Sequence, residues 1–318
     1  MSTMAMADTL IGEITPELLS GRLQYAFDNW LAGELPLLTG AITLEKAAQF
    51  QAYRETAVGE FYANEDNGYA HSLAVYNRLK EIAKQSPKMM QLVIGPHRYV
   101  NEPDERVFLQ RVERVFTWAA MLHDLMRFFG FGTPDHEIPA VKLARAAFGQ
   151  EVELPDWLAN AMIRHDYFCP IADGEEVPML FLESSLAEMF RLADKTSLPP
   201  ADEVDRWRKY GRRYGTKFYN RDLPDDVRFD LPHNYEQRDQ VTYLLMLFAV
   251  QPSDFYAHEA AEIYRRWALG KAEALRRIMA IAREERVSER AVMDIIQRFH
   301  RHYGLPMPEG SEYLRVYS

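Results

Sequence analysis

The sequence predicts an all-α fold, a helical bundle with helical extensions at its N- and C-terminal ends. Three observations predict it. Apolar residues recur at three- and four-residue spacing along most of the 318 residues. The periodic segments are bracketed by helix starts such as Thr15-Pro16 and stops such as Gly130 and Gly149. No βαβ alternation is visible, although lone strands remain allowed after Pro200.

Each element follows from local signals. Thr15 caps a helix whose first turn holds Pro16 and which continues over Glu17–Leu31. Thr43 starts a second, Leu44–Tyr62, and a turn at Asn64–Gly68 leads into a third over Tyr69–Lys84. Pro87 to Pro103 reads as a loop, and Asp104 precedes one long helix, Glu105–Phe129, ended by Gly130 and Gly132. Asp135 is the expected N-cap of His136–Phe148. Pro155 opens Asp156–Tyr167, and Pro178 leads into Met179–Thr196, closed by Pro199-Pro200. Further helices are expected at Glu203–Tyr210, Gln237–Val250, Phe255–Trp267 with Ser253 as cap, Lys271–Glu285 and Ser288–Tyr303. No repeat or obvious linker divides the chain. The expected organisation is an N-terminal extension over 1–64, a helical core over 65–200 and a C-terminal extension over 201–318 packed on that core.

Composition bounds the function. Hydrophobic residues at 47% and charged residues at 26% make a globular chain. With 37 Lys+Arg against 47 Asp+Glu, the net charge is −10, which disfavours non-specific nucleic-acid binding but leaves room for a small anionic metabolite in a local basic pocket. The single cysteine, Cys169, has no disulfide partner within the chain and suits a cytoplasmic protein. Met1–Leu10 lacks a basic start and an apolar stretch, so no secretory signal is expected. The longest apolar runs, such as Tyr243–Val250, fall short of the roughly 20 residues that span a bilayer.

Chemistry is carried by a set of residues rather than by any one histidine. His71, His123-Asp124, His136, His165-Asp166 and Asp194 each fall on or beside an apolar helical face, so a bundle can project them into one cavity. Imidazole and carboxylate together suit divalent Mn, Fe, Co, Ni or Zn. Adjacent His and Asp side chains on a helix point about 100° apart. They reach one ion only if the helix passes the site tangentially.

The run Ala119-Ala-Met-Leu-His-Asp-Leu-Met-Arg-Phe-Phe129 resembles the signature of the HD superfamily, in which an apolar helix ends in His-Asp and a basic residue follows. That family usually has Gly then Lys where this chain has Met126 then Arg127. His71 resembles the family's first ligand, and Leu192-Ala-Asp-Lys195 places Asp194 as its last. His136 and His165 resemble the extra histidines of the dinuclear branch, with His165-Asp166 where some members have His-His. The resemblance covers residues 65–200. It implies a bundle holding one or two divalent ions, Mg included, on His71, His123, Asp124, His136, His165 and Asp194.

The resemblance also implies a metal-dependent phosphohydrolase acting on a nucleotide or another small phosphate ester. Asp124, Arg127 and Lys195 are the expected catalytic residues, with Arg164 a further nearby cation. An HD-type diiron oxygenase has a similar pattern, and a non-catalytic nucleotide- or metal-binding regulator is a third reading. A homo-oligomer is allowed. Singly, each residue has a plainer role: His71 as a satisfied core histidine, His136 as a polar helix start, Asp194 as a helix-end carboxylate paired with Lys195. Asp166 is open between ligand and hydrogen-bond acceptor. His97 reads as a loop residue, His233 as a possible pocket residue, and His258, His300 and His302 as surface or packing residues. Arg206–Lys217 reads first as a solvated face and second as a substrate lid.

Overall fold

The computed structural model describes residues 14–31, 44–65, 67–85, 105–131, 136–148, 162, 185–206, 258–284 and 290. They form eight α-helices: α1 (Pro16–Leu31), α2 (Leu44–Ala63), α3 (Tyr69–Gln85), α4 (Glu105–Leu122), α5 (Glu137–Phe148), α6 (Ser185–Lys195), α7 (His258–Ala268) and α8 (Lys271–Glu284). A 3₁₀ turn, Leu125–Phe129, follows α4, and residues 200–206 are also helical. No strand occurs among the described residues, and the fold is all-α. No helix among them is long and apolar enough to cross a membrane. The helices expected at 156–167, 237–250 and 288–303 lie outside the described residues, apart from helical Met162 and Arg290.

The chain divides into two compact units. One comprises Met1–Asp166 with Met179–Ser197, and the other Tyr167–Pro178 with Leu198–Ser318. In the first unit α1 packs on α2 and α5, and α2 packs on the 3₁₀ turn. α3 packs on both α4 and α6.

Spacing explains these contacts. Leu19, Leu23, Ala26 and Phe27 share one face of α1 and are buried. Thr15 caps the helix as expected, accepting the Leu18 N–H at 3.2 Å. The Phe27 ring stacks on Phe50 of α2, and Phe50 stacks on Phe129 at 4.2 Å between centroids. α2 is kinked at Tyr53 (φ −126°, ψ 19°), whose hydroxyl donates to the Phe129 carbonyl at 2.8 Å. At the α2–α3 turn a Cβ on Gly68 would collide with the backbone carbonyls of Phe61 and Asn64. Only glycine fits there, and its carbonyl accepts the first bond of α3, from Ser72 N–H at 3.0 Å.

Two boundaries differ from the sequence expectation in ways that matter. The expected single helix over 105–129 breaks at His123-Asp124: α4 stops at Leu122, Asp124 takes φ −103° and ψ −4°, and a 3₁₀ turn carries on. Gly130, at φ +77°, closes the turn as expected. The next helix starts at Glu137 with His136 ahead of it, and the His136 carbonyl accepts from Ala140 N–H at 3.0 Å. His136 therefore occupies the capping position expected of Asp135, which lies outside the described residues. Pro139 falls in the first turn, where a missing N–H costs no helical bond.

In the second unit, residues 200–206 begin a helix at Pro200, not at Glu203, with Glu203 N–H bonded to the Pro199 carbonyl at 3.0 Å. A proline that cannot continue a helix is well suited to begin one. α7 and α8 bury Ala260, Ile263, Tyr264, Leu275, Ile278, Met279 and Ala282. Trp267 Nε1 donates to the Leu198 carbonyl at 2.6 Å.

Candidate metal centre

Three helices and one helix break bring the site together. α3 carries His71 in its first turn, the end of α4 presents His123, the break presents Asp124, and the last turn of α6 presents Asp194. All four are buried, as is His136. The His-Asp pair falls where α4 gives way to the 3₁₀ turn, and there Asp124 Oδ2 comes within 3.8 Å of His123 Nε2.

The donor atoms of His71, His123 and Asp194 lie within 4.8 Å of one another. His71 Nε2 is 3.1 Å from Asp194 Oδ1 and 3.3 Å from His123 Nε2, and His123 Nε2 is 3.6 Å from Asp194 Oδ1. Asp124 Oδ2 stands 3.9 Å from His71 Nε2 and 3.8 Å from His123 Nε2. Two ligands bound at about 2.1 Å to one ion stand about 3.0 Å apart across a right angle and about 3.4 Å apart across a tetrahedral angle. The His71–His123 and His71–Asp194 separations fall in that interval. Asp124 needs to approach by only a few tenths of an ångström.

Hydrogen-bonding logic points the same way. His123 Nδ1 lies 2.7 Å from the Ala120 carbonyl, which can only accept, so Nδ1 carries the proton. In the neutral ring Nε2 is then the lone-pair nitrogen, and it faces another imidazole nitrogen and two carboxylates. The His123 lone pair and two carboxylates converging on His71 in a buried space repel one another unless a proton or cation lies among them. This donor set fits a divalent ion. His and carboxylate ligands with a backbone carbonyl orienting one imidazole are what Mn, Fe, Co, Ni or Zn take.

The surrounding groups orient the carboxylates. Lys195 Nζ is 2.9 Å from Asp194 Oδ2, so Oδ1 is the oxygen turned to the histidines. Asp124 is divided in the same manner. Its Oδ1 accepts from Arg127 Nε at 2.7 Å and lies 3.1 Å from His136 Nε2, while Oδ2 faces His71 and His123. The Phe190 ring, one turn before Asp194, stands edge-on to His123 at 5.8 Å and forms an apolar wall. Arg78 Nε donates to Thr196 Oγ1 at 2.9 Å, tying the end of α6 to α3 two turns beyond His71.

The structure thus brings together His71, His123, Asp124, His136 and Asp194, and sets the expected catalytic cations Arg127 and Lys195 on the two carboxylates. His165 and Asp166 lie outside the described residues, as do Arg164, His97, Cys169, His233, His300 and His302. Sequence reading missed the Ala120 carbonyl, Phe190, and the Arg78–Thr196 tie. The signals were helical offsets: Ala120 three residues before His123, and Phe190 four before Asp194.

No protein-family model matches this chain, and neither a curated protein nor a solved structure matches it.

Proposed function

We propose that the chain is a metal-dependent phosphohydrolase of the HD type, acting on a nucleotide or another small phosphate ester. One observation carries this reading: ligand atoms of His71, His123 and Asp194 lie within 4.8 Å of one another, with Asp124 Oδ2 just beyond at 3.8–3.9 Å from the two histidines. The order of these residues along the chain agrees with the HD resemblance.

His71, His123, Asp124 and Asp194 would hold the divalent ion, which when bound would supply a Lewis acid to acidify water and draw charge from a phosphoryl oxygen. The chain's own residues do the rest. The Ala120 carbonyl holds His123 in the ligating tautomer. Lys195 offsets the charge of Asp194 and fixes which oxygen faces the histidines. Phe190 excludes bulk water from one side, which strengthens every charge interaction within the site. Arg127 holds Asp124 and is the more exposed of the two cations, its side chain 21% accessible against 7% for Lys195. With its Nε–H on Asp124, its remaining guanidinium N–H groups are the better placed to meet a phosphoryl oxygen as charge develops there.

The test combines metal analysis with a substrate screen. Purified protein is loaded with Mn, Co, Ni or Mg and assayed on nucleotides and on phosphomono- and diesters. The expected outcome is metal-dependent phosphate-ester cleavage, with Asp124→Ala losing metal and activity together. Unchanged metal content in Asp124→Ala would remove the site assignment. Iron retained after anaerobic purification, with substrate-dependent oxygen uptake and no hydrolysis, would move the reading to oxygenase chemistry. Tight nucleotide binding without turnover for any metal would make the protein a regulator.

A further inference from the structure

We infer that the guanidinium of Arg127 takes the place of a second cation, so that this chain holds one ion where its ligand pattern suggests two. The inference rests on the proposed metal site and concerns the far side of Asp124.

Asp124 has the arrangement of a bridging carboxylate. One oxygen, Oδ2, faces His71 and His123 at 3.9 and 3.8 Å. The other, Oδ1, faces His136 Nε2 at 3.1 Å, and His136 is fully buried. A second ion shared by Oδ1 and His136 would complete the bridge. That oxygen already accepts the Arg127 Nε–H at 2.7 Å. A guanidinium stays charged at every accessible pH and has no lone pair to offer a metal. It repels an incoming divalent ion and satisfies the carboxylate that the ion would need.

Local backbone geometry holds Arg127 there. The 3₁₀ turn is closed by Arg127 N–H to the Asp124 carbonyl at 3.1 Å, and side chains three residues apart in a 3₁₀ turn eclipse. Arg127 is thereby stacked over its own turn's carboxylate. The same break that lets Asp124 reach the first ion delivers a fixed positive charge to its second oxygen. Asp124 is then polarised by one mobile and one built-in cation.

The experiment is an anaerobic Mn(II) titration of the full chain by equilibrium dialysis, with electron paramagnetic resonance of the loaded protein. Wild type is expected to saturate at one ion per chain, with an uncoupled Mn(II) signal. Arg127→Met and Arg127→Gln are expected to take up a second ion at least about 10-fold more tightly than wild type and to show a spin-coupled pair. Arg127→Lys keeps the charge and is expected to stay at one. Adding His136→Ala to either neutral variant should return it to one. Two coupled ions in wild type would overturn the inference while leaving the proposed metal site standing. So would a neutral variant, folded by circular dichroism, that stays at one. Wild type that binds no divalent ion at all would remove the metal site itself and this inference with it.

Discussion

In the second unit buried charge is settled one group at a time, while in the first it is gathered. Glu203 pairs with Arg206 at 3.0 Å, and Lys271 lies 5.2 Å from the Tyr264 ring centroid and 6.0 Å from that of Trp267. The other described ion pairs of α7 and α8, such as Arg276–Glu273 and Arg277–Asp205, are solvent-exposed. Around α3, α4 and α6, by contrast, two imidazoles and two carboxylates converge on one another out of water. Lys195 and Arg127 each offset one carboxylate, but gathering so many polar groups out of water still carries a desolvation cost. A chain that needs only to pack its helices has no reason to incur that cost, as α7 and α8 illustrate. The difference teaches where to look for ligand chemistry: at buried polar groups whose best common partner is a cation from outside the chain.

The largest expected effect follows from this difference. A divalent ion at about 1,000 times its dissociation constant should stabilise the folded state by about 4 kcal/mol. Hydrogen exchange should slow in α3, the end of α4 and α6, while α7 and α8 stay unchanged. Equal protection in both regions would erase the distinction. Next is Gly68→Ala, whose Cβ meets two backbone carbonyls that have no rotamer to escape into. It should cost about 3 kcal/mol in urea unfolding and displace His71, lowering ion affinity as well.

A smaller effect is set by pH. Burial, reinforced by Tyr69 and Glu17, raises the Tyr62 hydroxyl well above its ordinary value of 10.0, and that hydroxyl donates to the Ile14 carbonyl at 2.5 Å. The neutral form is favoured in the folded state. Its contribution is therefore complete below pH 10 and is lost as pH rises further and the unfolded chain ionises first. Tyr62→Phe should flatten the stability profile above pH 10. The smallest effect is expected of Arg277→Ala in the second unit. Its pair with Asp205 is bidentate but about half exposed, so the melting temperature should not move measurably.

Much of this was legible in the sequence, for identifiable reasons. α1, α3 and α8 carry uninterrupted apolar spacing with recognisable starts, and their ends fall within a residue of expectation. His71, His123, Asp124 and Asp194 were found because each sits at a set place relative to an apolar helix. The break after Leu122 was not legible. Leu125, Met126 and Phe129 continue a helical apolar pattern, and nothing local marks the change to 3₁₀ spacing. The short interval from His123 to His136 made the latter hard to read as a neighbour of Asp124. The structure nonetheless brings His136 Nε2 to 3.1 Å from Asp124 Oδ1. The pairing of Arg127 with Asp124 was equally hidden, since a basic residue after His-Asp reads as a group aimed at substrate. Only the geometry of the turn shows it bent back on its own carboxylate.

His71 stands 52 positions before His123 and 123 before Asp194. Such separations mean that an unfolded chain offers isolated imidazoles and carboxylates and no chelate, so nearly all affinity for the ion arises with tertiary closure. A ribosome-bound chain that has not yet released Asp194 lacks one of the four ligands. On the proposed reading, metal acquisition would be a late event in the life of the polypeptide, following synthesis of α6 and its docking on α3.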